Sequence, residues 1–151
     1  MICKKTVGAL PIWVAVLCLF LAGIVGPDIS MAEVVVIANP SVSVNGITKN
    51  ELKEIFTGKQ VTWNDGQAIK PALLSQGEVH EEFIKDYIDK TTNQFTTYWR
   101  KMIFTGQGIQ PRTFESPAEV VEYVVKTPGA IGYVSSSEIS AGVKTLPVVE
   151  Q

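Results

Sequence analysis

The feature that most constrains this chain of 151 residues is the change in composition at residue 32. Lys4 and Lys5 precede residues 7–26, of which 16 are apolar and none is charged. Ser30-Met31-Ala32 follows, with small residues at the two positions that a signal peptidase reads. Because this order is typical of a secretory signal peptide, we predict cleavage after Ala32 and a domain over residues 33–151.

The apolar stretch has an alternative interpretation as an uncleaved membrane anchor, since about 20 apolar residues can span a bilayer. Cleavage instead predicts a periplasmic or secreted domain with no membrane contact. Both cysteines, Cys3 and Cys18, lie in the leader, so the domain has no disulfide in an oxidising compartment. A domain of 119 residues buries about two-thirds of its unfolded surface, which is enough without cross-links.

The charge balance narrows the choice of partners. Residues 33–151 contain 11 basic and 14 acidic residues, a net charge of −3. No basic stripe is visible along the sequence. The sequence therefore predicts no binding to nucleic acid or to an anionic membrane surface.

Apolar runs predict the strands. Residues 34–38 are apolar without alternation, which is typical of a strand covered on both faces. Residues 69–74 predict a second strand, in which Pro71 belongs at a sheet edge or a strand start. Residues 129–134 and 145–149 predict a third and a fourth strand.

Capping signals and apolar spacing predict the helices. Thr48 with Glu51, and Ser116 with Glu119, have the pattern of capping boxes. Two further helices are predicted, one from Glu78 and one from about Thr92, because apolar residues recur there at helical spacing. The order of elements predicts an α/β fold, a single-domain mixed β-sheet flanked by helices.

Residues suited to catalysis are scarce. His80 is the single histidine, and the apolar spacing of the same predicted helix directs Val79 and Phe83 to the core. We therefore expect the imidazole on the solvent side, with no catalytic role. The sequence contains no metal-ligand spacing and no phosphate-binding loop, so we predict a non-enzyme without cofactor or metal.

Several motifs then carry a resemblance to a known family. They are Leu52-Lys53-Glu54-Ile55-Phe56-Thr57-Gly58-Lys59, Trp63-Asn64-Asp65-Gly66, Phe104-Thr105-Gly106 and Thr127-Pro128-Gly129-Ala130-Ile131-Gly132-Tyr133-Val134. Together they resemble one lobe of the phosphate-type periplasmic substrate-binding proteins of ABC transporters, the type 2 binding-protein fold. The resemblance implies a short, single-domain relative of that family.

The family holds phosphate with an arginine and a Ser-Gly-Thr run before a helix, and the resemblance places this stretch just before Glu78. Here the arginine is absent, and Glu78 brings a carboxylate to the place of the anion. The residues that we expect to contact a ligand at strand ends and helix starts are Ser41, Ser75, Gln76 and Gly77, with Ser43 beside them. The alternative is that Ser75 and Gly77 are turn and capping residues.

Two functions remain open from the sequence. The first is a solute-binding domain for phosphate or a related oxyanion, as a component or accessory of ABC transport. The second is a non-catalytic protein-interaction module that has lost the anion site. Its partner would be an ABC transporter, an envelope protein or a second copy of the chain.

Overall fold

The structure, a computed structural model, describes residues 33–150, so the predicted signal peptide lies outside the described residues. The strands are β1 (Val34–Ala38), β2 (Ile47–Thr48), β3 (Lys70–Leu74), β4 (Arg112–Phe114), β5 (Ala130–Ser135), β6 (Lys144–Thr145) and β7 (Val148–Val149). The helices are α1 (Lys49–Phe56), α2 (Glu78–Ile88), α3 (Thr92–Phe104) and α4 (Pro117–Lys126). Among these described helices, none has the length and apolar content needed to span a bilayer.

The main sheet has five strands in the order β4-β3-β5-β1-β6. β3 pairs in parallel with both β4 and β5. β1 runs antiparallel to β5, with Val36 opposite Tyr133, and antiparallel to β6. β2 and β7 form a separate parallel pair. The predicted mixed sheet flanked by helices is thus confirmed.

Successive residues of β5 show how the sheet is covered. Gly132 faces α4, because a Cβ at this position would lie 2.9 Å from a methyl group of Val120. Tyr133 points to the opposite face, where its ring stacks on Phe83 of α2 with centroids 3.7 Å apart. Since helices cover both faces, β1 and β5 are apolar without alternation.

Capping boxes begin three of the four α-helices within residues 33–150. Thr48 caps α1 with Glu51, and Ser116 caps α4 with Glu119, as the sequence predicts. Thr91 caps α3 with Gln94. Each cap satisfies backbone N–H groups that the first helical turn leaves without an acceptor.

Pro71 lies at the start of β3, which is one of the two places expected for it, and β3 is an internal strand of the sheet. The other strand predictions need two corrections. The predicted strand over residues 145–149 is two short strands, β6 and β7, because Pro147 interrupts the pairing. β2 and β4 were not predicted.

Candidate functional site

The sheet presents two opposite ends to possible ligands. β3, β4 and β5 are parallel, so Ser75, Glu115 and Ser135 lie at the ends of their strands along one edge, here called the carboxyl edge. α2 begins at this edge. β1 is antiparallel to β5, so its last residue, Ala38, lies opposite Ile131 near the other end, here called the amino edge.

Ser41 follows β1 and therefore lies at the amino edge. Its Oγ accepts hydrogen bonds from the backbone N–H of Gly129 (3.1 Å) and from Nε2 of Gln67 (3.3 Å). Trp63 Nε1 donates to the carbonyl of Gly129 (3.1 Å). Gly129 has φ 78°, and a Cβ there would lie 2.3 Å from the carbonyl oxygen of Ala68, so glycine is required. Ser41 thus takes part in a structural cluster.

Ser75, Gln76 and Gly77 form the turn from β3 into α2 at the carboxyl edge. The N–H of Ser75 donates to the carbonyl of Phe114 (2.8 Å), and its Oγ donates to Oε2 of Glu115 (3.1 Å). Gln76 is exposed. The structure therefore brings these three predicted residues together and separates them from Ser41 and from the exposed Ser43, which both follow β1.

The N-terminus of α2 is capped differently from those of the other helices. Its N-cap residue, Gly77, has φ 107° and provides no side-chain hydrogen bond. The backbone N–H groups of Glu78, Val79 and His80 therefore lack a capping side chain, whereas α1, α3 and α4 each have a Ser or Thr cap. Free N–H groups and the helix dipole make such a terminus attractive to anions.

His80 lies in the protein interior directly behind this terminus, so its predicted place on the solvent side is wrong. Its side chain is 5 % exposed. The prediction fails because it treats Val79, and not His80, as the inward residue. His80, Phe83 and Ile84 follow the i, i+3, i+4 spacing of one helical face, a signal that the sequence did contain.

A buried hydrogen-bond chain joins three elements at the carboxyl edge. The N–H of Leu74 donates to Tyr133 Oη (3.1 Å), and Tyr133 Oη lies 2.6 Å from His80 Nδ1. The direction of this second bond depends on the histidine tautomer. With the ring proton on Nε2, Tyr133 donates to Nδ1, and with the ring proton on Nδ1, His80 donates to the tyrosine oxygen.

The pKa values at this chain reflect its burial. Desolvation lowers the pKa of His80, and the nearby Glu81 carboxylate partly opposes the shift. Desolvation also raises the pKa of the Tyr133 hydroxyl, against the effect of the hydrogen bond from Leu74. Both side chains therefore stay neutral near pH 7.

The surroundings of the α2 N-terminus are acidic. Glu78 and Glu81 belong to its first turn, and Glu115 holds the hydroxyl of Ser75. Two like charges 4 Å apart near a protein surface repel by about 4 kcal/mol, although solvent around the exposed Glu78 reduces this. Among residues 33–150, no group of three or more His, Asp or Glu side chains is placed to hold a metal ion.

The mixed sheet with helices on both faces has the fold of one lobe of a periplasmic binding protein. Residues 25–146 match the PBP superfamily domain. The chain belongs to this superfamily.

Characterised relatives agree with this assignment. The chain is 29% identical over 119 residues to the phosphate-binding protein PstS of Bacillus subtilis. This match covers 78% of the chain and 36% of the relative. An ABC-type phosphate transport receptor from Vibrio cholerae superposes with a TM-score of 0.60 at 13% identity, covering 76% of this chain and 45% of the receptor.

PstS from Borrelia burgdorferi gives a TM-score of 0.56 at 24% identity, covering 76% of this chain and 46% of that structure. These structural likenesses establish the fold. The chain spans less than half the length of these relatives.

Proposed function

We propose that residues 33–151 are a non-catalytic, solute-binding domain that binds phosphate or a related oxyanion at the N-terminus of α2. The observation that carries the proposal is the bare Gly77 N-cap at the carboxyl edge, in a chain that belongs to the PBP superfamily. The phosphate-binding protein among its relatives supports the choice of ligand. The domain would act as a component or accessory of ABC transport.

The ligand contacts would all be neutral hydrogen-bond donors. The N–H groups of Glu78, Val79 and His80 point out of the first turn of α2. The Ser75 hydroxyl and the Gln76 amide lie in the preceding turn. Ser75 would have to exchange its hydrogen bond to Glu115 for one to the ligand.

The carboxylates at the terminus would weaken this binding. Glu78 is the first residue of α2, so its charge competes with the anion for the same helix dipole. No salt partner of Glu78 is found among the described residues. We therefore expect modest affinity, and tighter binding once Glu78 is neutralised.

Calorimetric titration of residues 33–151 with phosphate and with sulfate tests the proposal. Glu78→Gln should tighten binding by about fivefold, the effect of removing roughly 1 kcal/mol of repulsion. Ser75→Ala should weaken it. Glu138→Gln is the matched control, since this exposed residue lines a surface pocket with residues of α4, and α4 covers the face of the sheet opposite to α2.

The absence of binding heat for both anions, with wild type and with Glu78→Gln alike, would contradict the solute-binding proposal. Binding that Glu78→Gln leaves unchanged would contradict its location at α2.

The second candidate is a protein-interaction module, and the acidic surroundings of α2 favour it. The Ser75 hydroxyl already donates its hydrogen bond to the Glu115 carboxylate. The Glu78 carboxylate would repel an anion at the free N–H groups of α2. A module of this kind would dock on an ABC transporter or an envelope protein, or pair with a second copy to rebuild a two-lobed cleft. Crosslinking in cell envelopes and light scattering on residues 33–151 separate these partners.

The cellular location belongs to the same proposal. Export with removal of residues 1–32 would release a domain that begins at Glu33 in the periplasm or outside the cell. Intact mass measurement of the exported protein tests this. A mass that still includes residues 1–32 would instead support the membrane-anchor alternative.

A further inference from the structure

A groove of about 440 Å³ lies at the start of β3, between the end of α1 and the loop from α3 to β4. Its lining includes the apolar side chains of Ile55, Ile69 and Trp99. Lys70 and Arg112 are its charged lining residues, and no carboxylate lines it. Because Lys70 begins β3 and Ser75 follows its end, the groove and the α2 N-terminus lie at opposite ends of this strand.

Large apolar side chains beside this groove are exposed. Ile109 lines the groove and is 93 % exposed, and Val61 on its other wall is 62 % exposed. Phe104, the last residue of α3, is 92 % exposed. Clusters of exposed apolar residues on soluble domains usually mark interaction surfaces.

The charge around these residues differs from that of the domain. Residues 90–114 contain four basic residues and no acidic one, within a domain whose net charge is −3. Arg100 and Lys101 are exposed and precede Phe104 by four and three residues, so they flank it on the same helix face. A positive, apolar surface thus lies at the end of α3, while Arg112 also lines a neighbouring pocket with Glu115, Glu119 and Glu122.

We infer that this surface, here called the α3–β4 face and defined by Arg100, Lys101, Phe104, Ile109 and Arg112, docks on an anionic lipid surface. Basic residues attract the anionic headgroups, and protruding apolar side chains enter the boundary with the acyl chains. The sequence prediction of no membrane contact relied on net charge and on the absence of a basic stripe. Lys70 and Arg112 are 42 positions apart in the sequence, but in the fold they line the same groove.

A second copy of the chain and a different folded protein are both less suitable partners for the α3–β4 face. A two-fold dimer through this face would set its cations against the same cations of the second copy. A folded protein partner needs a matching pocket, whereas Phe104 and Ile109 project almost fully into solvent at a helix end and a loop. A lipid boundary accepts such side chains without a shaped pocket.

Flotation with lipid vesicles tests the inference. The described residues 33–150 lie in one compact unit, and its core lies within residues 36–146, so residues 33–151 can be used alone. The probes are vesicles of phosphatidylcholine and vesicles of phosphatidylcholine mixed with phosphatidylglycerol. We expect binding to the anionic vesicles, weakened by added salt, and little binding to the neutral ones.

Single substitutions locate the contact. Phe104→Ser and Ile109→Ser should each weaken vesicle binding several-fold while leaving the fold intact, because both side chains are exposed. Arg100→Gln and Lys101→Gln should each weaken it by about fivefold, the contribution of one basic residue near an anionic surface. Lys85→Gln, on the exposed face of α2, is the matched charge control and should change nothing.

Failure of wild-type residues 33–151 to float with anionic vesicles would overturn the inference. So would equal losses from Lys85→Gln and Lys101→Gln, which would indicate attraction by net charge alone. Phe104-dependent self-association in light scattering, without vesicle binding, would assign the face to a second copy instead. None of these three results bears on oxyanion binding at α2.

Discussion

At the residue scale, His80 and Tyr133 are the most informative pair. Their hydrogen bond joins α2 to β5, and the bond from Leu74 extends the chain to β3. The Tyr133 ring also stacks on Phe83, with 6° between the ring planes. The pair therefore fixes the start of α2 against the sheet, and with it the orientation of the free N–H groups.

The lowered pKa of His80 makes stability depend on pH. The unfolded chain takes up a proton near the ordinary histidine pKa of 6.5, whereas the folded state takes it up at lower pH. The contribution is therefore fully present above pH 6.5 and is lost as pH falls from there towards the pKa of the folded state. Urea unfolding at pH 7.5 and about pH 5.5 should show a lower free energy of unfolding in acid.

His80→Gln removes the titration and is the control for this prediction. Its free energy of unfolding should change less between the two pH values than that of wild type. Equal changes in the two proteins would show that carboxylates, and not His80, cause the acid sensitivity. Tyr133→Phe should cost about 1–3 kcal/mol at pH 7.5, because the Leu74 N–H and His80 Nδ1 lose their partner.

At the scale of elements, capping side chains determine where α1, α3 and α4 begin. Thr or Ser begins α1, α3 and α4, each with a Glu or Gln three residues later. In α4, the Glu119 carboxylate also accepts from the N–H of Glu115, which follows β4. The cap of α4 thus helps to hold the end of the edge strand.

Ser116→Ala tests the importance of this cap. We expect a loss of about 1 kcal/mol in the free energy of unfolding, because the N–H of Glu119 loses its acceptor. Ser140→Ala is the control, since Ser140 is exposed in the loop before β6 and makes one long hydrogen bond to a neighbouring carbonyl. A loss no larger than that of the control would contradict the capping role.

The elements also show where sequence reasoning succeeds. β1, β5 and α4 were predicted because long apolar runs and a complete capping box are strong local signals. β4 was missed since it has three residues, of which Arg112 and Thr113 are exposed, and its pairing with β3 is a tertiary contact. The turn at Ser75–Gly77 was predicted, but the separation of Ser41 from it depends on the antiparallel direction of β1, which no local pattern encodes.

At the scale of the whole molecule, the two edges of the sheet carry different chemistry. The carboxyl edge has the free N–H groups of α2 beside Glu78 and Glu115. The groove at the start of β3 has Lys70 and Arg112 beside exposed apolar residues. We therefore propose a solute at the carboxyl edge and a lipid surface at the opposite end of β3.

The central claim is that an oxyanion binds at the free N–H groups of α2. Titration of isotope-labelled residues 33–151 with phosphate, followed by amide NMR shifts, tests it most directly. We predict that the amide resonances of Glu78, Val79 and His80 move together with one dissociation constant, and that those of Arg100 and Ile109 stay unchanged. Unchanged resonances at Glu78–His80 at saturating phosphate would contradict the claim.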